Sequence, residues 1–226
     1  MYKNKSLKAV IFDLDGVITD SARFHYAAWK ELANRLNIPF DLEYNEKLKG
    51  VSRMESLDLI LKNGGQENSF TQTEKEKMAD EKNENYKQLI KQITKNDILP
   101  GILPFLQQLK SENIRTAIAS VSKNAFDIIS RLEVGEYFDY IVDAALVERA
   151  KPFPDIFLEA AKALDVSADE CIAIEDARAG IDAINSAGMG SVGVGTKEEM
   201  EKADLILSGT DKLELGMLME FFHLKR

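Results

Sequence analysis

One cysteine, Cys171, is all the thiol this chain has, so no internal disulfide can brace it. That excludes the stapled mini-protein class and suits a reducing compartment, which makes the cytoplasm the expected location. Cys171 stands in the apolar run Cys171-Ile172-Ala173-Ile174 and reads as core, not as a nucleophile. No run approaches the ~18–20 apolar residues of a membrane span. The apolar stretch Ala9 to Phe12, behind the basic N-terminal residues, is too short for a secretory signal. Basic residues are in deficit: 29 Lys and Arg stand against 38 Asp and Glu, a net charge of −9. That balance argues against a nucleic-acid or anionic-membrane partner. Internal repeats and low-complexity segments are absent too, and with no obvious exposed apolar stripe a monomer is expected.

What remains is enough for one good core, or one core and a small second unit: 226 residues, 45% of them hydrophobic. The chain is organised around Ala9-Val10-Ile11-Phe12-Asp13-Leu14-Asp15-Gly16-Val17. Its four leading apolar residues read as a short strand buried on both faces. The run then breaks into two carboxylates one residue apart. Two like charges aimed into one small volume call for a cation between them, and a magnesium site is expected.

The spacing of Phe24, Ala28, Leu32 and Leu36 predicts a helix, with Asp20 or Ser21 as its cap. From there to about Asn96 the chain reads helical, with breaks near Pro39, at Lys49 to Ser52 and at Asn63-Gly64-Gly65. The stretch Ser69 to Asn85 is so polar that it reads as a solvated helical face. After Pro100-Gly101 strands and helices alternate: strands at Thr116–Ala119, Tyr140–Val142, Cys171–Ile174, Ser191–Val194 and Leu205–Leu207, with helices between them. The expected fold is therefore α/β, a doubly wound parallel-sheet, Rossmann-like core with an inserted all-helical cap domain. Residues 1–19 and 98–226 form the core on this reading, and 20–97 the cap.

Four polar clusters follow the proposed strand ends: Asp13 and Asp15, Ser120 to Asn124, Lys151-Pro152, and Glu175-Asp176. In a parallel sheet these ends share one edge and converge. A metal cage, a lysine and hydroxyl or amide donors near a helix N-terminus suit a phosphoryl group. Each cluster also has a plainer reading. Glu175-Asp176 could cap a helix, Ser122 and Asn124 could cap the next one, Lys151 could be a loop lysine, and His25 with Trp29 could be a packed pair one turn apart. An EF-hand reading of Asp13-Leu14-Asp15-Gly16 fails, because a strand precedes it and its twelfth position is Phe24. The glycine run Gly188 to Gly193 lies after a helix and before a strand, the reverse of a dinucleotide fingerprint, and reads as a helix C-cap.

The motifs Asp13-Leu14-Asp15-Gly16-Val17, Ser120, Lys151-Pro152 and Glu175-Asp176 resemble the four motifs of the haloacid dehalogenase superfamily, and the helical insertion is similar to its small cap. Asp20, His25, Trp29, Leu48 to Arg53, Ser120 to Asn124 and Gly193-Val194-Gly195 resemble the phosphosugar-mutase branch of that superfamily. The resemblance implies conversion of β-glucose 1-phosphate to glucose 6-phosphate, with magnesium and β-glucose 1,6-bisphosphate as cofactors. It implies Asp13 as nucleophile and Asp15 as general acid and base. Magnesium would be held by Asp13, the Asp15 carbonyl and Asp176, with Glu175 beside them. Ser120 and Lys151 would grip the transferring phosphate, and Arg53, Ser122, Lys123 and Asn124 the distal one. Gly50, Val51, Ser52 and Trp29 would meet the substrate, and His25 with Lys82 would position Asp15. Val121 and Phe153 are bulkier than the resemblance leads one to expect, and Ser21 replaces a threonine. The rivals are a magnesium-dependent sugar-phosphate phosphatase on the same scaffold and a non-catalytic phosphosugar-binding protein.

Overall fold

The computed structural model describes residues 6–225; the first five residues of the expected 1–19 segment and the last of the expected 98–226 segment lie outside it. Among the described residues six strands form one fully parallel sheet: β1 (Ala9–Phe12), β2 (Arg115–Ile118), β3 (Tyr140–Ile141), β4 (Cys171–Glu175), β5 (Gly190–Val194) and β6 (Leu205–Leu207). Their order across the sheet is β3-β2-β1-β4-β5-β6, with β1 central. The strands differ from the sequence expectation by a residue or so at their ends. Val142, for instance, is buried and its N–H donates to Ile118, but it lies past the end of β3.

A strand buried on both faces must be apolar at every position, and β1 is. Val10 and Phe12 point into one core and Ala9 and Ile11 into the other. The first core is covered by α5 (Ile102–Ser111), α6 (Ala125–Leu132) and α9 (Leu215–Leu224). The second lies under α7 (Asp155–Ala163) and α8 (Arg178–Ala187). Cys171 is buried in the second, as its apolar setting predicted.

Between β1 and β2 the chain builds α1 (Ala22–Arg35), α2 (Leu42–Glu46), α3 (Arg53–Asn63) and α4 (Gln72–Leu89). These helices have an apolar cluster of their own, which includes Trp29, Leu32, Phe40, Leu57, Ile60 and Leu61. Phe24, Ala28 and Tyr86 join the first sheet core instead, so the insertion is rooted on the sheet as well as packed within itself. Where the chain leaves and re-enters, the two segments lie side by side. Thr19 forms an antiparallel bridge to Ile98, the Leu99 N–H donates to the Ile18 carbonyl at 2.9 Å, and the Thr19 hydroxyl donates to the Asp97 carbonyl at 2.7 Å. Among the described residues no helix is long and apolar enough to cross a membrane.

Phe12 is fully buried and meets Phe105 and Phe138 edge-on, with centroids 6.0 and 5.9 Å away. Phe12→Ala should cost about 3–5 kcal/mol, read from the denaturant midpoint. A loss under about 1 kcal/mol would show that β1 is not the anchor of the core.

Candidate active site

The parallel register decides what meets at the C-terminal edge. Phe12 lies level with Ile118 on one side and Ile174 on the other, so Asp13, Ala119 and Glu175 come level at that edge. Lys151 is drawn in beneath them, with its side chain fully buried. Its ammonium donates to Asp13 Oδ1 at 2.6 Å and to Glu175 Oε2 at 2.7 Å. Burial pulls the Lys151 pKa down, but the charges of Asp13 and Glu175 outweigh it and hold the ammonium above its ordinary range. Lys151 is therefore no surface lysine, although a loop carries it.

Asp176 completes the cluster from the next position. Oxygens of Asp13, Glu175 and Asp176 lie within 4.8 Å of one another. Burial and the nearby Asp13 charge push Glu175 up to about 8 and Asp176 up to about 7. One buried ammonium among four carboxyls leaves the cluster short of positive charge, and an all-oxygen donor set suits a hard divalent cation. The residues thus fit magnesium. Glu175 is already engaged through both oxygens, since Oε1 accepts from the Ala177 N–H at 3.1 Å. Glu175 consequently does not cap α8, whose N-cap residue is Ala177.

The turn after Asp15 requires glycine. Gly16 has φ of 76°, and a Cβ there would come within 2.1 Å of Asp176 Oδ2. Asp15 reaches the site cavity, but its Oδ1 is buried without a hydrogen-bond partner. Burial first, and then Asp13, push its carboxyl up to about 8, so it carries a proton at neutral pH.

The cavity above this edge has a volume of about 730 Å³. Asp13, Asp15 and Asp176 line its floor, while Ser120, Lys151 and Glu175 lie below the floor. From the sheet side come Ser122, Lys123 and Asn124; from the helices come His25, Trp29, Gly50, Val51, Ser52, Arg53 and Lys82. Gly50, with φ of 73°, presses against the sheet unit: a Cβ there would lie 3.2 Å from that of Ala177. Ser52 also starts α3 through a reciprocal capping box with Glu55. The expected site residues are therefore brought to one cavity, or to the layer just below it.

The expected cap at Ser21 gives way, and so does the plainer, capping reading of Asn124. Ser21 occupies the N-cap position of α1, but its buried hydroxyl caps nothing and has no partner. Asn124 holds the N-cap position of α6 without a capping bond, and its amide donates instead to Asn83 Oδ1 at 2.9 Å. The solvated reading of Ser69 to Asn85 also fails in its second half, where Ala79, Lys82 and Asn83 are buried. Lys82 lies 4.5 Å over the Trp29 ring and 4.9 Å over that of Tyr86, and its Nζ is 2.8 Å from His25 Nδ1. Tyr86 stacks on His25 with ring centroids 4.0 Å apart. Burial, reinforced by Arg53, pulls Lys82 down to about 7, and burial with the Lys82 charge drives His25 well below its usual value. Asn83 and Tyr86 are buried beside this site although nothing local in the sequence marks them, and Lys49, in the Leu48 to Arg53 stretch, has its ammonium 3.8 Å from Asp176. The buried spacing 79, 82, 83, 86 was the available signal, hidden by the polarity of three of its four members.

The depressed Lys82 pKa makes this cation a cost to the fold below about pH 7, relieved as pH rises towards 10.5. Lys82→Met should stabilise the protein by about 1–3 kcal/mol at pH 7. The gain should shrink as pH approaches 10, and denaturant midpoints at the two pH values measure it. A destabilised variant would mean that the aromatic box holds the ammonium favourably.

Comparison with known proteins yields concordant matches. A family model for haloacid dehalogenase-like hydrolases matches residues 7–188. A β-phosphoglucomutase of Bacillus subtilis is 52% identical over 214 residues, 95% of each chain. A crystal structure of β-phosphoglucomutase from Clostridium difficile superposes with a TM-score of 0.95 at 50% identity, covering 97% of this chain and 98% of that one. A fructose-1-phosphate phosphatase of Escherichia coli is 30% identical over 189 residues, 82% of this chain and 95% of its own.

Proposed function

The chain belongs to the haloacid dehalogenase-like hydrolase family, and on that premise we propose that it is a phosphosugar mutase. It interconverts β-D-glucose 1-phosphate and β-D-glucose 6-phosphate through β-glucose 1,6-bisphosphate and an aspartyl-phosphate enzyme. The observation that carries this reading is that the likeness to a β-phosphoglucomutase runs through the helical insertion as well as the sheet. The insertion brings Arg53, Lys82 and His25 to the cavity, and a mutase needs them to hold a second phosphate and keep water from the phosphoenzyme.

An Asp13 carboxylate oxygen attacks phosphorus, the bond from phosphorus to the sugar oxygen breaks, and that oxygen takes the proton of Asp15. In the other half-reaction a sugar hydroxyl attacks the phosphoryl group, its proton passes to Asp15, and the bond to Asp13 breaks. The bisphosphate turns between the two halves, so the net change is isomerisation. Lys151 and Ser120 grip the transferring phosphate. Arg53, Ser122, Lys123 and Asn124 hold the distal one, for which the planar guanidinium of Arg53 gives a two-pronged grip. Gly50, Val51, Ser52 and Trp29 meet the sugar phosphate, and His25 with Lys82 positions Asp15. Asp13, Asp176 and the Asp15 carbonyl, with Glu175 behind them, would hold magnesium, which would neutralise phosphate charge when bound. Residues 1–19 and 98–226 act as the core and 20–97 as a cap that closes by hinging where residues 18–19 and 97–99 run side by side. The enzyme works as a cytoplasmic monomer.

With magnesium, β-glucose 1-phosphate and a trace of the bisphosphate, the protein should form glucose 6-phosphate without free phosphate. Dominant phosphate release would establish the phosphatase alternative instead. Arg53→Lys should raise KM for the sugar phosphate about ten-fold, the loss of one charge-assisted pair. An unchanged KM would remove Arg53 from the distal phosphate.

A further inference from the structure

Helix α4 is polar along most of its length, yet one stripe of it is buried: Ala79, Lys82, Asn83 and Tyr86, at i, i+3, i+4 and i+7. Two adjacent members of that stripe reach different parts of the cavity. Lys82 meets His25 at 2.8 Å, beside Asp15. Asn83 meets Asn124, across the divide between insertion and sheet, at 2.9 Å. Asn83 is 9% exposed and Asn124 5%, so this is a buried amide pair whose loss strands a donor. On the sheet side the Asn124 side chain makes no capping bond to α6, although it stands at the N-cap position, and the Asn124 N–H is held by the Ser122 hydroxyl at 3.3 Å. The orientation of the Asn124 side chain therefore depends on a residue that the insertion supplies.

We propose that Asn83 is a positioning residue that couples the distal-phosphate segment, Ser122 to Asn124, to the acid–base group Asp15. This deepens the mutase reading and rests on it. With α4 seated, Asn83 fixes the amide of Asn124 for the distal phosphate, and the same helix sets Lys82 against His25. With α4 withdrawn, both are lost together, because one rigid helix carries both residues. A ligand bearing a distal phosphate thus favours the seated helix, whereas water, which brings no phosphate, leaves it unfavoured. Asn83 accordingly sets how the aspartyl phosphate divides between sugar phosphate and water.

A double-mutant cycle tests this, with wild type, Asn83→Ala, Asn124→Ala and the double variant in magnesium and β-glucose 1-phosphate. Asn83→Ala should lower kcat/KM about ten-fold, the equivalent of about 1.4 kcal/mol. It should also raise the fraction of aspartyl phosphate lost to water, and the double variant should be no worse than Asn124→Ala alone. Independent, multiplying effects, or an unchanged division between water and sugar phosphate, would overturn the assignment. Thermal unfolding checks that each variant folds. If Asn83→Ala does not, Asn83→Leu, which keeps the volume but offers no acceptor, takes its place. A wild-type protein that releases phosphate instead of glucose 6-phosphate defeats the mutase reading itself. A working mutase with an additive cycle defeats the Asn83 assignment alone.

Discussion

The structure depends on one buried ammonium set among carboxylates at the end of the central strand. Lys151 bridges Asp13 and Glu175 with no solvent exposure of its side chain. An unpaired charge in that position would cost the fold several kcal/mol, and so would either carboxylate without it. The pairing fixes the loop that carries Lys151 under the sheet edge and aims one oxygen of Asp13 at the lysine. It cannot balance Asp15 and Asp176 as well. Burial and mutual repulsion push these two groups up towards neutrality, and the oxygen cluster left short of positive charge suits a divalent cation.

Two neighbouring aspartates thereby receive different tasks. Asp13 is tied to Lys151, whereas Asp15, two residues on, turns into the cavity with an unpaired oxygen and keeps its proton. The chain reverses at Gly16, where only a missing side chain leaves room for Asp176, and then climbs into the insertion. The turn that separates the aspartates is also the root of the helices that cover them. Those helices return Lys82, a second buried cation, to the same cavity, but held by aromatic rings and His25 instead of a carboxylate.

Much of this was legible in the sequence because the sheet is buried on both faces. Uninterrupted apolar runs such as Val10 to Phe12 and Ile172 to Ile174 can hardly be anything else, and polar residues directly after them mark the working edge. The register that sets Asp13 beside Glu175 is a tertiary property, yet it follows from parallel strands of similar length. The polar helices were less legible. Lys82 and Asn83 sit among Lys, Glu and Asn residues, and nothing local distinguishes a buried lysine from a solvated one; Trp29, His25 and Asn124, far away in sequence, decide it. Ser21 reads as a cap in the sequence for a related reason. The types that cap helices are also the types that line polar sites, and the choice between the roles is made by what packs against them.

The central claim is that Asp13, and not its neighbour, takes the phosphoryl group. Borohydride reduction of the enzyme quenched during turnover with the bisphosphate would convert an aspartyl phosphate to homoserine, which peptide mass spectrometry locates. The account predicts homoserine at position 13 and unmodified aspartate at 15 and 176. Reduction at either of those positions, or at none while turnover continues, would contradict it.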